Sequence, residues 1–178
     1  MIVDIKNQNC DNRVVNKEAD GKVSPELAAK VKGLFDALGP NASSSEREEL
    51  DRLLLTQAIL AMNYSYCPYS DFPVGAALLS KTGQLFLGCN VENASYGGTI
   101  CAERTAVVKA VSEGFREFDT VAVVCQKNKD AWPCGFCRQF LSEFGADLRI
   151  IVEGSSGTVE VMSMSDLLPR MFGPAALG

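Results

Sequence analysis

The 178-residue chain is predicted to adopt an α/β layered fold, and three observations predict it. Strand-like and helix-like segments alternate in the order helix, hairpin, helix, strand, helix, strand, strand. Such alternation buries helix stripes against the faces of one sheet. The composition, 47% apolar and 22% charged, is that of an ordinary globular protein. The length suits one domain with room for a tail.

Residues 1 to about 23 are polar, charged and aperiodic and read as a tail. A short helix follows, with Ser24 as its cap, Pro25 at the first helical position and Gly39-Pro40 as its stop. Asn41 to Ser45 reads as a linker or cap region. Ser45 and Glu48 have capping-box spacing, and Leu50, Leu54, Ala58 and Ala61 then recur at helical intervals. The boundary near residue 45 divides an N-terminal extension, 1–44, from a main domain, 45–178.

A Pro/Tyr loop spans Cys67 to Pro73. Val74 to Leu79 and Gln84 to Cys89 read as a hairpin around Lys81-Thr82-Gly83. Asn90 to Ile100 is a loop, and a helix from about Cys101 stops at Gly114. Thr120 to Cys125 is a β-branched strand. After a loop, a helix starts near Cys134 and ends at Gly145. Leu148 to Val152 and Thr158 to Met162 are the last strands, and Ser163 to Leu168 is a short helix closed by Pro169.

With 17 basic and 22 acidic residues the net charge is −5, which argues against nucleic acid as a partner. No secretory leader and no apolar run of the roughly 20 residues needed to span a bilayer are visible. Seven cysteines, an odd number, point to a reducing compartment with thiols free or metal-bound, and so to the cytoplasm. The chain has no histidine, which excludes Ser-His-Asp and Cys-His catalysis.

Three cysteines carry the chemistry. Cys134-Gly135-Phe136-Cys137 puts two sulfurs three residues apart at a helix start, and Cys101 opens the other helix. Partial positive charge at helix N-termini favours the thiolate, the form that binds zinc. Three protein ligands leave a fourth tetrahedral position for water, the mark of a catalytic zinc. Glu103, two residues beyond Cys101, is placed to carry the proton. Three thiolates leave the centre negative, and Arg104 could offset this by hydrogen bonding to a ligand sulfur. The C-x-x-C pair alone suits a redox couple or half a zinc finger equally well. Cys10, Cys67, Cys89 and Cys125 are the alternatives for a fourth structural ligand.

Cys101-Ala102-Glu103 followed by Pro133-Cys134-x-x-Cys137 resembles the signature of the zinc deaminases. Tyr66-Cys67-Pro68-Tyr69-Ser70, Phe72-Pro73-Val74-Gly75-Ala76-Ala77, Gly88-Cys89-Asn90-Val91-Glu92-Asn93-Ala94-Ser95-Tyr96, Arg138-Gln139 and Leu167-Leu168-Pro169 extend the likeness. Together they resemble the small cytidine deaminases over roughly residues 50 to 172. The resemblance implies a three-layer α-β-α sandwich around a mixed five-stranded sheet, with one zinc per chain. It also implies hydrolysis of cytidine and deoxycytidine to the uridine nucleosides plus ammonia, in pyrimidine salvage. Asn90 and Glu92 would hold the ribose, Phe72 would pack on the pyrimidine, and the backbone around Ala102 would read the base edge. Tyr96 and Phe172 match aromatics lent to a neighbouring subunit, in a homotetramer with shared sites.

Gly97-Gly98-Thr99 and Phe136 depart from the family's usual residues, Phe136 standing where a smaller one is common. The rival readings are a deaminase of another aminopyrimidine, a polynucleotide editor, which the acidic balance disfavours, and a zinc-binding module without catalysis.

Overall fold

The computed structural model describes residues 23–38, 43–127 and 129–173. The expected tail up to residue 22, the first two residues of the linker and the Gly39-Pro40 stop fall outside them.

Helix α1, Pro25–Ala37, starts as the sequence implies: the Ser24 hydroxyl accepts from the Leu27 N–H and Pro25 occupies the first turn. Helix α2, Ser44–Met62, starts earlier than expected. Its capping box is Ser43 with Glu46, not Ser45 with Glu48. Both pairs have the same spacing. The extended backbone of Ser43 (φ −68°, ψ 154°) decides between them, because a cap must precede the helical dihedrals. Glu48 instead pairs with Arg52 one turn on, at 2.7 Å.

Strands β1, Val74–Ser80, and β2, Leu85–Cys89, form the antiparallel hairpin. Helix α3, Ala102–Ser112, leads to β3, Phe118–Cys125. Helix α4, Gly135–Ser142, ends three residues before Gly145, which takes φ +132°. Strands β4, Arg149–Glu153, and β5, Val159–Ser163, and helix α5, Met164–Leu167, complete the chain.

The sheet order is β2-β1-β3-β4-β5, antiparallel throughout except for the parallel β3–β4 pair. It is therefore the mixed five-stranded sheet expected. Alternate strand residues sort into two cores, as the period of two requires. Ala76, Leu78, Val121, Val123, Ile150 and Val152 face α3, α4 and α5. Ala77, Leu79, Ala122, Val124 and Ile151 face α1 and α2 through Leu50, Leu54 and Ala58. The result is three layers, α-β-α.

Two glycines bring the helices close to the hairpin. A Cβ at Gly75 would stand 1.9 Å from the Ala58 carbonyl oxygen on α2. One at Gly88 would stand 2.4 Å from the Ala102 carbonyl oxygen and 2.5 Å from the Ala106 nitrogen on α3. Gly88 thus lets the first turn of α3 lie directly on β2. On the other face, buried Asp51 of α2 takes both guanidinium nitrogens of Arg149 on β4, at 3.0 and 2.7 Å. Cys67 is buried and disulfide-bonded, contrary to the expectation of free or metal-bound thiols. A cysteine count speaks to the compartment, not to the state of each sulfur.

Candidate active site

The starts of α3 and α4 meet at one end of the sheet. Cys101 is the N-cap of α3, with extended backbone (φ −71°, ψ 157°), and Cys134 is the N-cap of α4 (φ −67°, ψ 169°). Neither cap is closed by a side-chain hydrogen bond, so both sulfurs are free of that duty. Cys137 lies in the first turn of α4 and is fully buried. The parallel crossover from β3 through α4 to β4 carries Cys134 and Cys137 back to α3.

The Cys101 and Cys134 sulfurs stand 3.9 Å apart, and all three sulfurs lie within 4.8 Å of one another. Tetrahedral thiolates at zinc, with bonds of about 2.3 Å, stand about 3.8 Å apart. The donors are soft and suit zinc over hard cations. Spacing and chemistry therefore both fit a zinc ion. Cys89 and Cys125 stand outside the cluster.

The protein alone polarises this cluster. The Cys101 thiol is pulled down to about 5, chiefly by a hydrogen bond from Cys137, with the Arg104 guanidinium adding to it. The Cys137 thiol is pushed up, because it gives its proton towards Cys101 and is buried beside negative charge. Metal uptake must expel such protons.

Glu103 is 4% exposed on the first turn of α3. Burial raises its carboxyl above the usual range, against hydrogen bonding from its own backbone, and the charge on Cys101 adds to the rise. A buried carboxyl beside this cluster of thiols, held towards neutrality, is suited to carrying a proton. Arg104 donates from Nη2 to the Thr99 carbonyl at 2.9 Å and to the Cys101 sulfur at 3.6 Å.

A cavity of about 350 Å³ opens onto this end of the sheet. Cys101, Glu103 and Cys134 line one end, and Phe72, Asn90 and Glu92 line it as well. The last two are not free to reach out. Buried Asn90 accepts from the Val74 N–H and donates to the Phe72 carbonyl, both at 2.9 Å. The Glu92 carboxylate accepts from the backbone N–H groups of Tyr69 (2.9 Å) and Ser70 (3.2 Å) and from the Ser70 hydroxyl. Slight burial opposes its charge, but these hydrogen bonds outweigh burial and hold the carboxyl below its ordinary range.

Three other residues expected to bind substrate do not line the cavity. Ala102 is buried with its carbonyl against Gly88. Tyr96 is 76% exposed and meets Tyr69 edge-on at 5.9 Å, on a single 3₁₀ turn at Tyr96–Gly98. Phe172 is 60% exposed, its carbonyl accepting from Gln139 Nε2 at 2.8 Å. Phe136 points away from the cavity, over the Arg104 guanidinium.

The cavity also has walls that the sequence reading missed: Ser70, Thr99, Val123, Cys125, Asp130, Ala131 and Trp132. Trp132 had a signal, being the only tryptophan and lying two residues before Cys134. Val123 and Cys125 had none beyond strand alternation.

Residues 48–153 match the family model described as the cytidine and deoxycytidylate deaminase zinc-binding region. The chain belongs to the cytidine deaminase family. It is 46% identical over 125 residues to a cytidine deaminase of Halalkalibacterium halodurans, covering 69% of this chain and 95% of that one. It is 46% identical over 127 residues to a probable cytidine deaminase of Dictyostelium discoideum, covering 71% and 85%. Among solved structures, the cytidine deaminase of Burkholderia pseudomallei superposes with a TM-score of 0.65 at 45% identity, covering 68% of this chain and 98% of that one. That of Mycobacterium tuberculosis gives 0.62 at 40% identity, covering 68% and 96%. The family is zinc-dependent. No described helix is long and apolar enough to cross a membrane.

Proposed function

We propose that this chain hydrolyses cytidine and deoxycytidine to uridine and deoxyuridine plus ammonia, with Cys101, Cys134 and Cys137 holding one zinc ion and Glu103 carrying the proton. The observation that carries the reading is the three-sulfur cluster with a buried carboxyl beside it, at the end of a nucleoside-sized cavity. Bound zinc supplies an acidified water at its open coordination position. With the metal bound, Glu103 would accept the water's proton and deliver it to N3 of the pyrimidine as the water oxygen bonds to C4, and would then pass the proton of the new C4 hydroxyl to the amino group as the C4–N bond breaks and ammonia leaves. Phe72 offers an apolar face to the base, and Glu92 and Asn90 stand at the ribose. Arg104 offsets the charge of three thiolates by its contact with Cys101.

The cavity favours a nucleoside over a nucleotide. Among the described residues its lining contains three acidic side chains, those of Glu92, Glu103 and Asp130, and no lysine or arginine. A 5′-phosphate entering it would meet like charge without a cation to pair with.

The deaminase domain is taken as residues 45–178, with 1–44 as an extension. Exposed Tyr96 and Phe172 support assembly into a homotetramer in which neighbours share sites. The cytoplasm is the proposed location. The test is the fall in cytidine absorbance on incubation with purified protein, alongside zinc analysis of the same sample. Conversion to uridine with about one zinc per chain is expected from a site of three protein ligands. Bound zinc without conversion of any aminopyrimidine nucleoside would favour a non-catalytic module.

A further inference from the structure

Phe136 stands between two of the candidate ligands, and at 80% it is the most exposed large apolar side chain among the described residues. An aromatic ring left in water at that point needs a reason. Its ring centroid lies 5.8 Å from the guanidinium carbon of Arg104. Arg104 in turn reaches the cluster through Nη2, which serves both the Thr99 carbonyl and the Cys101 sulfur. Its Nε is buried and makes no hydrogen bond. A guanidinium tied at one nitrogen can pivot about that tie. The face of an aromatic ring, negative at its centre, attracts the cation and limits the pivot.

We propose that Phe136 is a positioning residue for the metal centre, its ring holding Arg104 against Cys101. The proposal rests on the reading that the three cysteines bind zinc. An aliphatic side chain of similar bulk would fill the space without the ring's charge distribution. Phe136→Leu should therefore loosen zinc, and Phe136→Tyr should restore it.

The test is zinc competition against a chromophoric chelator on the full chain. Phe136→Leu is expected to raise the zinc Kd about two- to fivefold, the size of one exposed cation–π contact. Phe136→Tyr should match the parent, and far-UV circular dichroism and Tm should stay unchanged, since the side chain is exposed. The decisive measurement is the same substitution in an Arg104→Gln background. There it should change nothing, because the contact is already gone. An equal loss in both backgrounds overturns the proposal and assigns Phe136 to packing. So does an unchanged Kd for Phe136→Leu in the parent. If the parent takes up no zinc, or keeps its zinc in Cys101→Ser, the metal reading itself has failed.

Discussion

The side-chain amide of Asn90 clamps the backbone on both sides of Pro73: its Nδ2 donates to the Phe72 carbonyl and its Oδ1 accepts from the Val74 N–H, each at 2.9 Å. One buried amide thereby fixes the exposed ring of Phe72 relative to the start of β1. Asn90→Ala leaves a donor and an acceptor unpaired, at a cost of about 1–3 kcal/mol each where they stay dry. The expected outcome is a lower Tm and a raised KM for cytidine. Asn90→Asp, which keeps the acceptor, should fall between. A Tm unchanged in both variants would remove the clamp from the account.

Glu103→Gln keeps the shape of the buried side chain and removes its ability to carry a proton. The variant should bind zinc at the parent's stoichiometry and lose about 10²–10⁴ in kcat. Single-turnover kinetics with metal analysis on the same preparation check this. A kcat within a few-fold of the parent would assign the proton to another group.

Metal removal should abolish turnover and be reversed by zinc. Because Cys137 is pushed up and gives its proton towards Cys101, zinc and protons compete for the cluster. Acidification should therefore weaken zinc binding. Chelator titrations at a series of pH values should show Kd rising as pH falls; a flat profile contradicts the proton-linked cluster.

Deoxycytidine 5′-monophosphate should be a much poorer substrate than deoxycytidine, because Glu92 and Asp130 line the cavity with no lysine or arginine among its described walls. A kcat/KM ratio of about 10² or more would reflect roughly 3 kcal/mol of uncompensated charge repulsion and lost hydration. Equal turnover of the two would mean that the phosphate never enters the cavity.

Acid should weaken the start of α2. Hydrogen bonds from the Ser43 backbone, and then from its hydroxyl, hold the Glu46 carboxyl below its ordinary value. A carboxyl depressed in the folded state contributes stability above its unfolded pKa and loses it as pH falls through the folded one. Ser43→Ala should cost about 1 kcal/mol at neutral pH, with a smaller penalty in acid. Urea unfolding at two pH values measures both; a constant penalty would show that the box is not proton-linked.

The sequence carried the local rules well. Proline at a helix start, alternating strands and glycine stops placed the five strands and five α-helices of the described residues to within a few residues. It missed the true cap of α2 because Ser43-x-x-Glu46 and Ser45-x-x-Glu48 satisfy one spacing rule, and only the backbone dihedrals of Ser43 separate them. Cys101, Cys134 and Cys137 stood out as candidate ligands because thiolates at helix N-termini are a short-range pairing of charge and dipole, and Glu103 stood out by its place two residues after Cys101 and by the resemblance of Cys101-Ala102-Glu103 to the zinc deaminases.

What the sequence by itself determined is therefore the chemistry on offer: soft ligands, a carboxyl next to them, no imidazole and an acidic surface. Tertiary structure alone decided who meets whom. It brought Cys101 within 3.9 Å of Cys134 across 33 positions, turned Asn90 inward to its own loop, and left Tyr96 and Phe172 off the cavity wall. It also added Trp132 and Asp130 to that wall. The reason is physical. Periodicity and capping are set by neighbours along the chain, whereas a cavity is set by which helix can rest on which strand. Here that was settled by Gly88, whose missing side chain lets α3 lie flat on β2.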